Sequence, residues 1–353
     1  MIRRVSVFAA LAIAAAAVPA PAHTQPGGNV HQTAIRERAA RAVTVRYQGR
    51  GSREEQTERF TRTLKIGAGG TIELSNIAGD IVITAGGGNE ARLEVVKTAR
   101  GRTIEDAKEL LQLVEVDVTE RGNRVEVRTR YPREDEPRRN NRRNFNVSVA
   151  YALTAPAGAA ITANSVSGSV SSTGIKGELS LESVSGSIHI RNGGRVAAAK
   201  SVSGNIEIAD TAIDGALDVS SVSGAVVLRR VKVGRLSAGS VSGEVHVEDV
   251  QCERVNAQSV SGGVSFSGPL ATNGRYALQS HSGEVRIAIA GGAGFELEAT
   301  SFSGSVRSEF DLKTPGAEPA SRRRQRTLRG VYGDGSAVLD LTTFSGSIVI
   351  SKR

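Results

Sequence analysis

Serine immediately precedes glycine in nine copies of one short phrase, at Ser167, Ser185, Ser203, Ser223, Ser242, Ser261, Ser282, Ser303 and Ser345. A serine hydroxyl becomes a nucleophile only beside a base, often on a strained Gly-x-Ser-x-Gly elbow. No such elbow with an attendant histidine is present, and an active site needs its nucleophile once. A hydroxyl repeated at a tight corner instead bonds a nearby main-chain group or its counterpart on the next repeat. His189 and His246 both stand three residues after a motif glycine. They are three repeats apart, roughly 14 Å in stacked strands, too far to share a metal. His281 takes a place held by valine in earlier copies and reads as a corner histidine, not a ligand.

There is no His-Glu-x-x-His segment and no cysteine pair. The glycine runs Gly67 to Gly70 and Gly86 to Gly88 lack the following helix that a phosphate loop requires, so they read as turns. The position three after the glycine holds Ser171, His189, Glu207, Val227, His246, Ser265, Arg286, Arg307 and Val349. It offers no repeated acidic pair of the kind that glycoside cleavage uses. These patterns assign no catalytic, metal-ligating or cofactor-binding residue.

The elements that carry these serines form a repeat. Its glycines are Gly168, Gly186, Gly204, Gly224, Gly243, Gly262, Gly283, Gly304 and Gly346, the first eight spaced by 18 to 21 residues. A period of that size marks stacked supersecondary units. Two residues after the glycine stand Val170, Ile188, Ile206, Val226, Val245, Val264, Val285, Val306 and Ile348. Seven residues before it stand Ile161, Leu179, Ala197, Leu217, Leu236, Val255, Tyr276, Leu297 and Leu339, with a further apolar row five before. Each stretch has period two, the mark of a strand with one buried face, and the inward parity changes at the Ser-Val-Ser-Gly phrase. The phrase is therefore read as a bend, with glycine for an unusual backbone conformation, valine or phenylalanine (Val166 to Phe344) for an inner column, and serine for local hydrogen bonds. Upstream glycines such as Gly177, Gly194 and Gly215 suggest a second corner. The fold class that follows is all-β: a β-solenoid or β-helix of about ten short rungs.

The tenth rung is degenerate, with Ile72, Leu74, Ile77, Gly79, Ile81 and Ile83 in the matching places. It is separated from the rest by an insertion over 84–146. Within it, Thr103 and Asp106 resemble a capping box before helically spaced Ile104, Ala107, Leu110, Leu111 and Val114. Two alternating stretches flank the Arg121-Gly122-Asn123 turn as a hairpin. This helix plus hairpin near the N-terminal end is expected to cover the open strand edge of the solenoid.

The first 22 residues read as a signal peptide, with Arg3 and Arg4, an alanine-rich apolar run and Ala20-Pro21-Ala22 as cleavage site. Residues 23–59 read as a flexible lead-in and 60–353 as the solenoid domain, with a long basic loop at 315–335. No other stretch is long enough to span a bilayer as a helix. Cys252 is the single cysteine, so no intramolecular disulfide forms. Tryptophan is absent and aromatics make up 4%, which argues against a stacking platform for bases.

The net charge is +9. Two segments of loop-like composition hold the excess, Arg128 to Arg143 at +4 and Lys313 to Arg329 at +5. Nucleic acid is therefore not the expected partner. Arg322, Arg323, Arg324, Arg326 and Arg329 form a candidate patch for an anionic partner.

The passage Ile72 to Ile83, the helix near Glu105 to Leu113, Val147 to Pro156, the Ser-Val-Ser-Gly repeats and the ending Gly333 to Gly346 together resemble the bacterial putative-adhesin domain family. The resemblance covers about Phe60 to Arg353. It implies an exported or membrane-tethered domain with adhesion by analogy to β-helical adhesins, and in some relatives a tie to envelope-stress signalling. It brings no catalytic residues. The resulting expectation is an exported, periplasmic or surface-located, non-enzymatic binding or scaffolding protein whose partner is an envelope protein or an anionic envelope polymer. The alternative is a β-helical polysaccharide lyase or hydrolase.

Overall fold

The computed structural model describes residues 54–67, 69–132, 146–313 and 326–353. The signal segment, the lead-in up to residue 53, and Arg322, Arg323 and Arg324 lie outside these. The described residues form one all-β solenoid with a single helix, Ile104–Gln112. Each rung carries one strand before its glycine and one after it. In the Gly186 rung these are Glu178–Ser183 and Ile188–Arg191. Both pair in parallel, in register, with the equivalent strands of the neighbouring rungs.

The two expected inward rows are buried. Leu179, Leu217, Leu236, Val255, Tyr276, Leu297 and Leu339 line one wall, and Val170, Ile188, Ile206, Val226, Val245, Val264, Val285 and Ile348 line the other. One place in the first row differs. A bulge between Leu179 and Ser180 pairs Leu179 with Val196, so Val196 is buried where Ala197 was expected. Rungs 204 to 262 also carry a third short ladder, through Thr211, Val231 and Val233 to Cys252, so these coils have three sides, not two.

The corner chemistry also departs from expectation. Of the nine motif glycines only Gly168 has a left-handed backbone, φ 136°. Left-handed residues instead occupy the second corner, six positions on, as Asn192, Asp210, Arg230 and Asp249 with φ between 51° and 54°. The motif glycines are needed for a different reason. A Cβ on Gly204, Gly224, Gly243, Gly262 or Gly283 would sit 1.9–2.1 Å from the carbonyl oxygen of the glycine one rung earlier. The main chains pass too close for any side chain.

Serine three before the glycine secures this approach. Ser201, Ser221, Ser240, Ser259 and Ser280 are buried. Each accepts the N–H of its own rung's glycine and donates to the carbonyl of the preceding one. Thr343 and Ser301 continue the chain to the far end. At the Gly79 rung Asn76 holds the corner differently, donating to the Gly79 and Val149 carbonyls at 2.9 and 2.7 Å while the Gly79 N–H goes to the Ser167 carbonyl. The serines that directly precede the glycines are exposed.

Both ends are closed by chain that leaves the rung sequence. Thr103 caps the helix by accepting the Asp106 N–H, while the Asp106 carboxylate accepts from Arg102 N–H, one residue before the usual capping-box partner. The hairpin of Glu115–Arg121 and Arg124–Arg130 forms as expected, and its second strand pairs in parallel with Thr71–Ala78. Val147–Pro156 covers Ile81–Gly86. A strand over Glu54–Lys65 then pairs antiparallel with Glu90–Gly101, so residues 54–59 belong to the sheet and not to a flexible lead-in.

At the other end the rungs are not stacked in sequence order. Ala337–Thr343 lies between Arg275–Ser280 and Phe295–Ser301, pairing in parallel with both. The 42-residue glycine spacing is thus a return and not a rung with a long loop. The Gly304 rung is terminal, Thr327–Tyr332 folds back antiparallel along it, and the last rung slots in behind. Residues 327–332, expected in a loop, are strand.

Candidate binding surfaces

Two outward rows differ from an ordinary solvated face. The first is the row two before the glycine, expected inside. The Ser-Val-Ser-Gly corner turns it out, and Ile77, Val166, Val184, Val202, Val222, Val241, Val260, Phe344 and Phe302 are 43–63% exposed. His281 completes the row and is exposed too. Its ring stacks on Phe344 with centroids 4.9 Å apart, and Phe344 stacks on Phe302 at 4.7 Å. The result is an apolar ridge running the length of the solenoid. His281 is thus an exposed ridge residue stacked on Phe344.

The second row stands eight before the glycine. Arg235, Arg254 and Arg275 are in direct register on three successive rungs. They edge a shallow groove of about 450 Å³ with Ser237, Asn256 and Ala277. None of the three forms an ion pair with a described residue. Other surface arginines are matched, as where Arg229 bridges Glu207 and Glu248, Arg230 holds Asp210, and Arg353 holds Asp249. The last two contacts depress the Asp210 and Asp249 carboxyls below the usual range, in each case first through the arginine hydrogen bond. Three guanidinium groups about 4.8 Å apart repel one another and are relieved by a bound anion. The sequence signal was available, since Arg235, Arg254 and Arg275 are spaced 19 and 21 residues apart, at the repeat period.

Of the five arginines expected to form an anionic-partner patch, only Arg326 and Arg329 are described. Arg329 pairs with Glu298, so it is not a free cation. The Arg326 carbonyl accepts the Ser301 N–H, which anchors the segment to the terminal rung. His189 and His246 stand three rungs apart, as the spacing required, and each has a local carboxylate, Glu207 and Glu244. Among the described residues no group of three His, Cys, Asp or Glu side chains is placed to hold a metal ion. Cys252 is buried, which raises its thiol pKa, and its Sγ donates to the Arg254 carbonyl at 2.9 Å. No described helix is long and apolar enough to cross a membrane.

Stacked parallel rungs with one glycine column, closed at both ends, define a β-solenoid repeat domain. The chain belongs to the Toastrack DUF4097 family, whose model matches residues 29–248 and 239–351. The match begins well before Phe60, so it includes much of the segment read as a lead-in. No curated protein matches the chain. Solved structures of similar shape include a "putative lipid binding protein" from Parabacteroides distasonis ATCC 8503, 17% identical, covering 84% of this chain and 97% of that one with a TM-score of 0.47. A "putative adhesin" from Bacteroides fragilis NCTC 9343 is 15% identical over 84% and 97% of the two chains, with a TM-score of 0.41. A "putative cell adhesion protein" from Clostridium sporogenes ATCC 15579 is 11% identical over 85% and 100%, with a TM-score of 0.22.

Proposed function

We propose that this protein is an exported, non-enzymatic binding or scaffolding rod of the bacterial cell envelope, and that its partner is an anionic envelope polymer. The observation that carries this reading is the ladder of Arg235, Arg254 and Arg275, three cations without ion-pair partners among the described residues, at the rung spacing. A polymer with regularly spaced phosphates or carboxylates engages several rungs at once, so modest single contacts add up. The uncharged Ser237 and Asn256 beside the ladder supply further donors, and Asp340 closes the groove at its far end with the one acidic side chain of its lining.

The test is binding of the full chain to isolated envelope fractions across a salt series. Changing Arg235, Arg254 and Arg275 together to glutamine should weaken binding at least about tenfold and flatten its salt dependence. A parallel variant with Arg322, Arg323, Arg324 and Arg326 changed to glutamine reports separately on the C-terminal basic segment. Binding and salt response unchanged in the ladder variant would remove the ladder from function.

A further inference from the structure

We propose that the apolar ridge is a self-association surface, on which two copies pair antiparallel about a two-fold axis. This is independent of the arginine ladder, which lies about six residues away across the same sheet face. Beside the last six rungs runs a groove of about 630 Å³, bordered by the ridge from Val241 to Phe302 and reaching Ser220 and Ser221 on the Val222 rung. The groove floor is the buried serine row, and its far wall is the outward row four before the glycine. That wall holds Ser220, Gly239, Gln258, Gln279, Thr342 and Thr300, all uncharged. Earlier rungs carry Glu182 and Lys200 there instead, so the charge-free stretch coincides with the groove.

A ridge beside a groove is self-complementary: each copy's ridge lies in the other's groove, and the contact closes at two copies. The pitch of ridge and groove is identical, because both are set by the rung spacing. Size also matches when the copies run in opposite directions. The axis then passes between Val260 and His281, and the rung of Phe344 meets the rung of Gly239 and Val241. Phe344 thus faces the one position in the groove wall that has no side chain, and Phe302 faces the small Ser220. In a parallel pair, phenylalanine would meet phenylalanine and Gly239 would meet its own gap.

The exposed ridge over these six rungs offers roughly 500 Å², and the groove walls bring this near the about 800 Å² per partner of a standard stable interface. A strip of this size is toward the upper end of what a monomer exposes, and patches of that size are often functional. A sugar chain is a poorer occupant, because His281, Phe344 and Phe302 stack with ring planes 7–8° apart and turn their faces to one another. A lipid surface is poorer too, since exposed serines and not basic residues flank the ridge.

Sedimentation velocity on the full chain should show a species of twice the chain mass at about 10 μM. Val241→Glu with Val260→Glu should weaken it about 100-fold. Both positions are solvent-exposed, so the melting temperature of the dilute protein should not change. Orientation is read from oxidative crosslinking. Val260→Cys should crosslink to His281→Cys, Val222→Cys should crosslink to Phe302→Cys, and Phe302→Cys alone should not. A protein that stays monomeric at about 100 μM, or a dimer indifferent to the paired glutamates, overturns the proposal. So does a monomer that floats with phosphatidylcholine vesicles through Val241 and Val260, which would give the ridge to a lipid surface.

Discussion

The carbonyl oxygen of Gly204 occupies the place that a Cβ on Gly224 would need, at 2.0 Å. The same relation links each motif glycine to the next along the column, so the phrase is a packing device between rungs more than a turn within one. Gly224→Ala should therefore cost about 3 kcal/mol or more, or prevent folding, since main chain and not a flexible side chain must yield. Gly239→Ala is the matched control. Its Cβ would meet nothing closer than 3.6 Å, so it should shift stability by less than about 1 kcal/mol. Denaturant midpoints of the two variants check this, and equal losses would show that the column is not what demands glycine.

The serine ladder gives a second contrast within one phrase. Ser240 accepts the Gly243 N–H and donates to the Gly224 carbonyl, both at 2.9 Å and away from water. Ser240→Ala strands both main-chain groups and should cost about 2–3 kcal/mol. Ser242→Ala, on the exposed side of the same corner, should be near neutral. Ser240→Thr should recover most of the loss, because Thr343 makes both bonds in its own rung. Thermal unfolding of the three variants separates these outcomes.

The solenoid was legible because each rung repeats the same in-out alternation, and periodicity survives without any knowledge of contacts. The Asn76 rung, the helix cap at Thr103 and the hairpin at Gly122 were legible for the same reason: each rests on local spacing. What periodicity could not give was the sense of the corner. Val166 and its counterparts share the parity of the buried row after the glycine and so looked buried, yet the change of parity comes after them: they continue the outward positions of the strand before the glycine. Serine identity was misplaced by two residues for the same reason. The interleaved last rung was invisible because Gly283, Gly346 and Gly304 carry no mark of order. Any rung fits any neighbour, and only the antiparallel return of Thr327–Tyr332 settles which lies between.

The N-terminal end contains a buried phenol with a defined pH signature. Tyr151 is 1% exposed, and burial pushes its pKa up to about 12, against the opposing effect of its hydrogen bond to Thr129. Thr129 in turn donates to Asn76 at 3.0 Å, tying the phenol to the start of the hydrogen-bonded column. In the unfolded chain tyrosine ionises near 10. Stability from this group is fully present below pH 10 and falls as pH rises from 10 to 12, because the unfolded state loses its proton first. The loss should approach about 2–3 kcal/mol. Tyr131 and Tyr276, also raised by burial, act in the same direction. Urea unfolding at pH 8 and pH 11 captures about half of this loss, together with what Tyr131 and Tyr276 add. Tyr151→Phe should remove the largest part of the dependence while leaving Thr129 its bond to Asn76.

The chain terminus should behave as an interior element. Leu339 and Leu341 are fully buried, with Tyr276 and Leu278 on one side and Leu297 and Ala299 on the other. Stability in a stacked array is close to a sum of nearest-neighbour interfaces, so a terminal rung contributes one interface and an interior rung two. Stopping the chain after Ser336 removes two interfaces and separates the Gly304 rung from the rest. The Gly346 amide, held by Thr343 at 3.1 Å, and the strand Ala337–Thr343 should therefore exchange hydrogen as slowly as Arg275–Ser280. In the truncated protein the amides of Phe295–Ser301 should exchange far faster, since only the antiparallel strand Thr327–Tyr332 remains beside them. Retained protection there would mean that the Gly304 rung packs directly on the Gly283 rung, which is the sequential order that the interleaved register excludes.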